Sequence, residues 1–368
     1  PATGSGRWRY ESRLGEGGLA TVYRATDCKG GRGEVAVKVL KRHPKLSHRD
    51  RRHAFAMHRE SQWSLWNLHN ECDSRFDGAA ASLFMRYLED HTGFSELGPA
   101  GFEAKRRLYE APDFNWDLDG PDLPARPYVV MELVRGETLQ TVIDRERASL
   151  PASEKRQIVV QAARALNYLA RFGLIHRDFR GCNMHLVGRE GQGEGCRLKV
   201  LDLGVMICAE DGQEANSNSA VQAFKRRGET EEKRRRYDWL PWEVRAAADG
   251  GAGPVVNFAP PAHSFDVFSL GVLALHLLLG KTEARSRLEV LRDDRHAWAA
   301  NMANTASLGL PVELVWRMLG EPSTRPSPSE VLAAMSEPVA PDVPAVARSR
   351  SRSADRRRRE RRQRWQLA

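Results

Sequence analysis

Ile175-His176-Arg177-Asp178-Phe179-Arg180-Gly181-Cys182-Asn183 puts an acid, two arginines and an amide into nine residues. Read alone it is a polar loop, in which Asp178 serves as a turn acid and Asn183 as a cap. Its surroundings change that reading. Downstream, Leu198 to Gly204 reads LKVLDLG, a short apolar run that ends in Asp202 and Gly204. Upstream lie a glycine-rich turn, Gly15-Glu16-Gly17-Gly18-Leu19, and an apolar stretch, EVAVKVL over 34–40, that carries a single lysine, Lys38.

Composition narrows the class. A chain of 368 residues with 41% hydrophobic content has the core-forming capacity of one large domain or two lobes. The most apolar run, 270–279, has the length of a buried core helix and falls short of the roughly 18 residues of a membrane span, so no membrane partner is expected. The net charge of +9 suggests a polyanion binder until it is located: ten arginines against Asp355 and Glu360 put eight of those nine charges into 348–368. The remainder is nearly neutral. Five cysteines, odd in number and without a C-x-x-C pair, fit reduced thiols. No signal pattern follows Pro1, and an intracellular protein, cytoplasmic or nuclear, is expected.

Along the chain, 9–14 and 20–25 are expected as strands joined by the glycine-rich turn, which a plain hairpin would use equally well. The β-branched run 34–40 is a strand in which a lysine is costly without an anionic partner. A helix is expected over 48–69, with Glu60 either a solvated face charge or the partner of a cation. Residues 70–104 carry no recognisable chemistry, with a helix expected at 79–90 and a strand at 107–110. Tyr128 to Leu133 reads as a buried strand, and 138–146 and 151–172 as helices. Ile158, Val159, Ala162, Leu166 and Leu169 fall at core-facing helical spacing in the second of these, which Gly173 stops.

The order HRD-x-x-x-x-N (176–183), then D-x-G (202–204), behind LGEGGLATVY (14–23) and VAVK (35–38), resembles the eukaryotic-type protein kinase domain. The resemblance implies an α+β, bilobal fold over about 8–336. It divides into a β-rich small lobe to about 133, with an insertion at about 70–104, and a mainly helical large lobe from about 137. It implies ATP and Mg2+ as cofactors and a protein substrate. Asp178 would take the substrate hydroxyl proton, Lys38 would hold the nucleotide phosphates with Glu60 as its ion-pair partner, and Arg180 would accompany them in catalysis. Asn183 and Asp202 would bind the metal. Leu14, Gly15, Gly17, Val22, Ala36, Met131, Glu132, Val134 and His185 would line the nucleotide site, Met131 as gatekeeper and Glu132 and Val134 through their backbone groups. Arg177 would clamp a phosphorylated activation segment, with Ser217, Ser219, Thr230 and Tyr237 as acceptors. Glu243 would pair with Arg325 inside the large lobe, and Asp266 would brace the catalytic loop.

Several residues depart from the family pattern. Ala20 stands for the third glycine, and Ser64 and His185 for apolar residues. Arg180 and Trp239 are similar to residues of the tyrosine kinase and tyrosine kinase-like groups. The implied function is ATP-dependent phosphorylation of Ser/Thr, with tyrosine or dual specificity as one alternative. A pseudokinase scaffold and a small-molecule phosphotransferase of the same fold are the others. A linker, 337–347, leads to the Arg/Ser-rich tail 348–368, which reads as a binder of nucleic acid or another polyanion, as a nuclear address, or as a disordered solubilising segment.

Overall fold

In the computed structural model the described residues are 6–42, 47–94, 98–111, 113–188, 196–209, 237–248, 263–293 and 311–336. The tail, the linker, and Ser217, Ser219 and Thr230 lie outside them. The chain opens with β1 (Trp8–Glu16) and β2 (Ala20–Asp27), an antiparallel pair about the glycine-rich turn, followed by β3 (Glu34–Leu40). Helix α1 (Ser47–Gln62) continues into a π-helical turn, Trp63–Leu68, closed by the His69 N–H on the Ser64 carbonyl at 2.9 Å. The expected helix over 48–69 is present, but slips by one residue at Ser64. There the buried serine hydroxyl accepts from the Tyr87 N–H and lies 3.0 Å from His69 Nδ1. A π-turn of this kind accommodates a local hydrogen-bonding demand inside a helix.

The stretch expected as a helix over 79–90 is different. Only α2 (Gly78–Ala81) is helical, capped by the Asp77 side chain, and β4 (Tyr87–His91) is a strand paired with β5. Pairing across the sheet outweighs the helix preference of the alanines, since Tyr87 is wholly buried opposite Met131. The strand expected at 107–110 is in turn the end of helix α3 (Gly98–Glu110). Glu103, Arg106, Arg107 and Glu110 form ion pairs three and four residues apart, the spacing that supports a helix. Strand β5 (Tyr128–Glu132) completes a five-stranded antiparallel sheet in the order β1-β2-β3-β5-β4. One face closes over Trp8, Ala25, Val35, Val37 and Val130, and the other joins the main core.

Beyond β5 come β6 (Glu137–Thr138), α4 (Leu139–Glu146) capped by Thr138, and α5 (Ala152–Arg171). The five residues expected on the buried face of α5 are all buried. At Gly136 a Cβ would stand 2.2 Å from the Leu186 carbonyl oxygen, so only glycine passes there. Short strands β7 (Leu174–Ile175), β8 (Met184–Val187), β9 (Arg197–Val200) and β10 (Ile207–Cys208) hold the loops that carry Asp178 and Asp202. Helices α6 (Trp242–Ala248), α7 (Ser264–Leu279), α8 (Lys281–Asp293), α9 (Val312–Met318) and α10 (Pro328–Ser336) build the rest. Helix α7 is apolar nearly all round and accordingly sits inside the core. The result is the expected α+β arrangement, a sheet-rich N-terminal part on a helical C-terminal part. Backbone bonds of Leu83 and Met85 to Val200 and the Lys199–Glu132 ion pair tie the two together.

Arg325 and Glu243 form a two-bond ion pair, 2.6 and 2.9 Å, and the Arg325 side chain is fully buried. Its remaining donors reach the carbonyls of Gly320 and Ser264. Glu243→Ala strands this guanidinium and should lower unfolding free energy by about 3–5 kcal/mol in urea titrations at neutral pH. Removing the exposed partner in Arg145–Glu137 by Glu137→Ala should leave the midpoint nearly unchanged.

Candidate active site

Between the sheet and the helical part lies a cleft of about 490 Å³, a volume suited to a nucleotide-sized ligand. Leu14, Gly15 and Gly17 of the turn, Val22, Ala36, Met131, Glu132, Val134 and His185 all line it, together with Lys38, Glu60, Asn183 and Asp202. Sequence reasoning passed over Leu201, Cys182, Met57, Met85 and Tyr87, which line it too. An expected helix over 79–90 hid Tyr87, which lies in β4 opposite Met131.

Lys38 projects from β3 to Glu60 of α1, with Nζ 3.0 and 2.8 Å from the two carboxylate oxygens and 3.4 Å from Asp202 Oδ1. Glu60 is therefore a buried ion-pair partner and not a solvated face charge. Burial would lower the Lys38 ammonium, but Asp202 and Glu60 outweigh it and hold it above its ordinary value. The same burial pushes Glu60 up against the pull of Lys38. Tyr87, buried beside Glu60, has its hydroxyl raised well above the ordinary range by burial and by that carboxylate. Asp202 is drawn down to about 2, chiefly by Lys38. Gly204 leaves this corner open, since a Cβ there would press on Asp202 Oδ1 at 3.2 Å and approach Glu60 Oε2 at 3.5 Å.

Across the cleft the loop 175–183 is held from below. Asp266, buried at the start of α7, accepts from the His176 and Arg177 backbone N–H groups at 2.6 and 2.9 Å. Arg177 and Asp202 are the two non-glycine residues with positive φ among the described residues, +65° and +55°. Such strain persists only where surrounding bonds impose it, and it concentrates at functional sites. Arg177 is buried, and burial lowers its guanidinium to about 9 with Asp266 and Glu110 opposing the shift. Its Nε donates to the Val205 carbonyl at 2.7 Å.

Asn183 donates to the Asp178 carbonyl at 2.9 Å and to its Oδ2 at 2.7 Å, which leaves the amide oxygen of Asn183 as an acceptor. Arg180 lies 2.8 Å from Asp178 Oδ1 and stacks over the Trp239 ring at 4.1 Å. Two residues singled out separately in the sequence are thus in contact. Asp178 and Arg180 flank the cleft and do not line it. Tyr237 packs against Trp239.

Among the described residues no group of three His, Cys, Asp or Glu side chains forms a metal site. Asp202 and the Asn183 amide oxygen are hard donors suited to Mg2+, which takes few protein ligands and completes its shell with phosphates and water. At the β5 end of the cleft, the Glu132 N–H is already bonded to the Arg86 carbonyl at 2.9 Å, so it is unavailable to a ligand. His185 Nδ1 is buried with no hydrogen-bond partner among the described residues, and burial lowers its pKa, keeping the ring neutral.

Residues 122–286 match the family model described as protein tyrosine and serine/threonine kinase. Relatives include a probable serine/threonine-protein kinase PknB of Bifidobacterium longum, 26% identical over 211 residues (57% of this chain, 24% of that protein). A probable serine/threonine-protein kinase of Streptomyces coelicolor is 30% identical over 221 residues (59% and 25%). Sperm motility kinase 2A of Mus musculus is 28% identical over 209 residues (56% and 34%). The chain thus spans about a quarter to a third of the length of these relatives. The matched region begins just before β5, so Lys38 and Glu60 lie outside it and enter through the structure.

The Asp202 carboxylate, depressed from 3.8 to about 2, adds stability above its unfolded value that is lost as pH falls through about 2. Lys38→Met removes the main cause, and the Asp202 carboxyl should then titrate well above about 2 in carbon-detected NMR.

Proposed function

We propose that this chain, which carries a protein kinase domain, transfers the γ-phosphate of ATP to serine or threonine hydroxyls of protein substrates. The observation that carries the reading is that Lys38, Glu60, Asp202 and Asn183 line one cleft, with Asp178 flanking it in contact with Asn183. The names of the relatives support Ser/Thr as the acceptors. The domain is taken to run over about 8–336.

In this reading Lys38, charged and fixed by Glu60, holds the α- and β-phosphates, while the glycine-rich turn covers them. Asp178, oriented by Asn183, accepts the proton of the substrate hydroxyl as its oxygen bonds to the γ-phosphorus. The bond from that phosphorus to the β–γ bridging oxygen breaks, and ADP leaves. Arg180 supplies positive charge beside the transferring group. Mg2+, held by Asp202 and Asn183, would neutralise phosphate charge. The work assigned to the protein is positioning and electrostatics, which is what phosphoryl transfer requires.

The Arg180–Trp239 stack favours a second reading, tyrosine or dual specificity, because both residues are similar to those of tyrosine kinases. Free thiols at all five cysteines support an intracellular setting. Among the described residues no helix is long and apolar enough to cross a membrane. The arginine charge of 348–368 is the sole support for polyanion binding.

Incubation with labelled ATP, Mg2+ and a mixed peptide library should give phosphoserine and phosphothreonine on acid hydrolysis. Asp178→Asn and Lys38→Met should lower transfer by about 10²-fold or more, in line with loss of a positioned base or phosphate contact. Phosphotyrosine alone would move the assignment to the second reading. Absence of transfer above the variants, with no thermal shift on adding Mg-ATP, would leave a scaffold.

A further inference from the structure

The outer face of α1 is covered by the chain itself. The described parts of the connection from β4 to β5 place an aromatic cluster on Phe55, whose ring lies 5.1 to 5.7 Å from those of Phe94, Tyr109 and Trp116. Arg51 donates to the Trp116 and Asp117 carbonyls at 2.8 and 2.9 Å. His58 Nδ1 stands 2.9 Å from Asp90, at the end of β4. These contacts attach the helix that carries Glu60 to the connection.

One side chain carries the attachment through to the reactive corner. Arg59, next to Glu60, donates from Nη2 to the Gly204 carbonyl at 3.1 Å, while its Nη1 is ion-paired with Glu110 at the end of α3. Glu110 is held in turn by the buried Arg106 at 2.6 Å. The guanidinium of Arg59 also lies over the Trp63 ring at 4.9 Å. Arg59 and Arg177 therefore grip consecutive carbonyls, Gly204 and Val205, of the turn that follows Asp202. Without Glu110, Arg59 loses the anion that fixes its fork, and the grip on Gly204 loosens.

We infer that Arg59 and Glu110 are positioning residues: the pair lets α3 hold the Asp202-Leu203-Gly204 turn in register with Lys38 and Glu60. The effect on catalysis rests on the kinase reading above, whereas the effect on the turn does not. The device is built from the chain's own α3, so the arrangement of the corner is set by folding.

The test compares Arg59→Ala, Glu110→Gln and their combination with Glu103→Gln, which loses a different partner of Arg106 and touches neither Arg59 nor the turn. Amide hydrogen exchange at 203–206 should quicken about tenfold in both single variants, with no added effect in the double variant and none in Glu103→Gln. Turnover should fall about tenfold or more with the KM for peptide unchanged, the mark of lost positioning. Wild-type exchange at 203–206 in Arg59→Ala and Glu110→Gln overturns the inference. So does equal acceleration by Glu103→Gln, which would reduce Glu110 to a helix stabiliser. If the wild-type protein transfers no phosphate, the kinase reading fails and the exchange measurements alone decide the inference.

Discussion

The buried contact of Lys38 with Glu60 is the constraint on which the cleft depends. A lysine in the middle of an apolar strand, and a glutamate on the inner face of a helix, are each unfavourable alone. Together they fix β3 against α1 and leave the ammonium pointing at Asp202. Glu60, which is costly to bury, and the more exposed Asp202 together outweigh desolvation at the lysine and keep it charged. The pair is thus a structural strut and, in the kinase reading, the phosphate anchor. Removing Lys38 leaves the buried Glu60 uncompensated, whereas removing Glu60 leaves the lysine its contact with Asp202 alone.

The helical part solves a comparable problem with backbone groups. The loop 175–183 must present Asp178 in a strained path, and Asp266 opposes the strain by accepting two consecutive backbone N–H groups from within the core. Helix α7 can carry that acid because its other faces are apolar and buried. Arg325 and Glu243 then join α6 to the segment before α10, with each of the buried donors on Arg325 given an acceptor. The site is held from both sides by buried charges that have protein partners.

Much of the site was legible because its information is local. Spacing within 176–183, the apolar lead into Asp202 and the lysine in β3 are properties of short stretches, and of the residues named from them Lys38, Asn183 and Asp202 line the cleft, whereas Arg177, Asp178 and Arg180 do not. The region between α1 and β5 was not legible. Ala79, Ala80 and Ala81 suggest a helix, yet the segment after them is claimed by the free edge of β5, a partner distant in the chain. The charges of 103–110 repeat at helical spacing, and the ion pairs they form favour the helix over the expected strand. The contact of Arg180 with Trp239 and the bond from Arg59 to Gly204 had no signature in sequence, since each joins residues 59 and 145 positions apart, respectively.

By itself, then, the sequence determined which chemistry this chain can hold: an acid and an amide in one loop, an acid in the next, a lysine in a strand, and a fold able to bring them together. Those are local patterns of residue type and period, and they survive without knowledge of neighbours. Tertiary structure alone decided that Glu60 is buried, that β4 rather than a helix borders β5, and that Tyr109 and Trp116 lie on α1. The physical reason is the same in each case. Strand pairing, desolvation and the closure of an ion pair are settled between segments distant in the chain, and burial sets which local preference prevails.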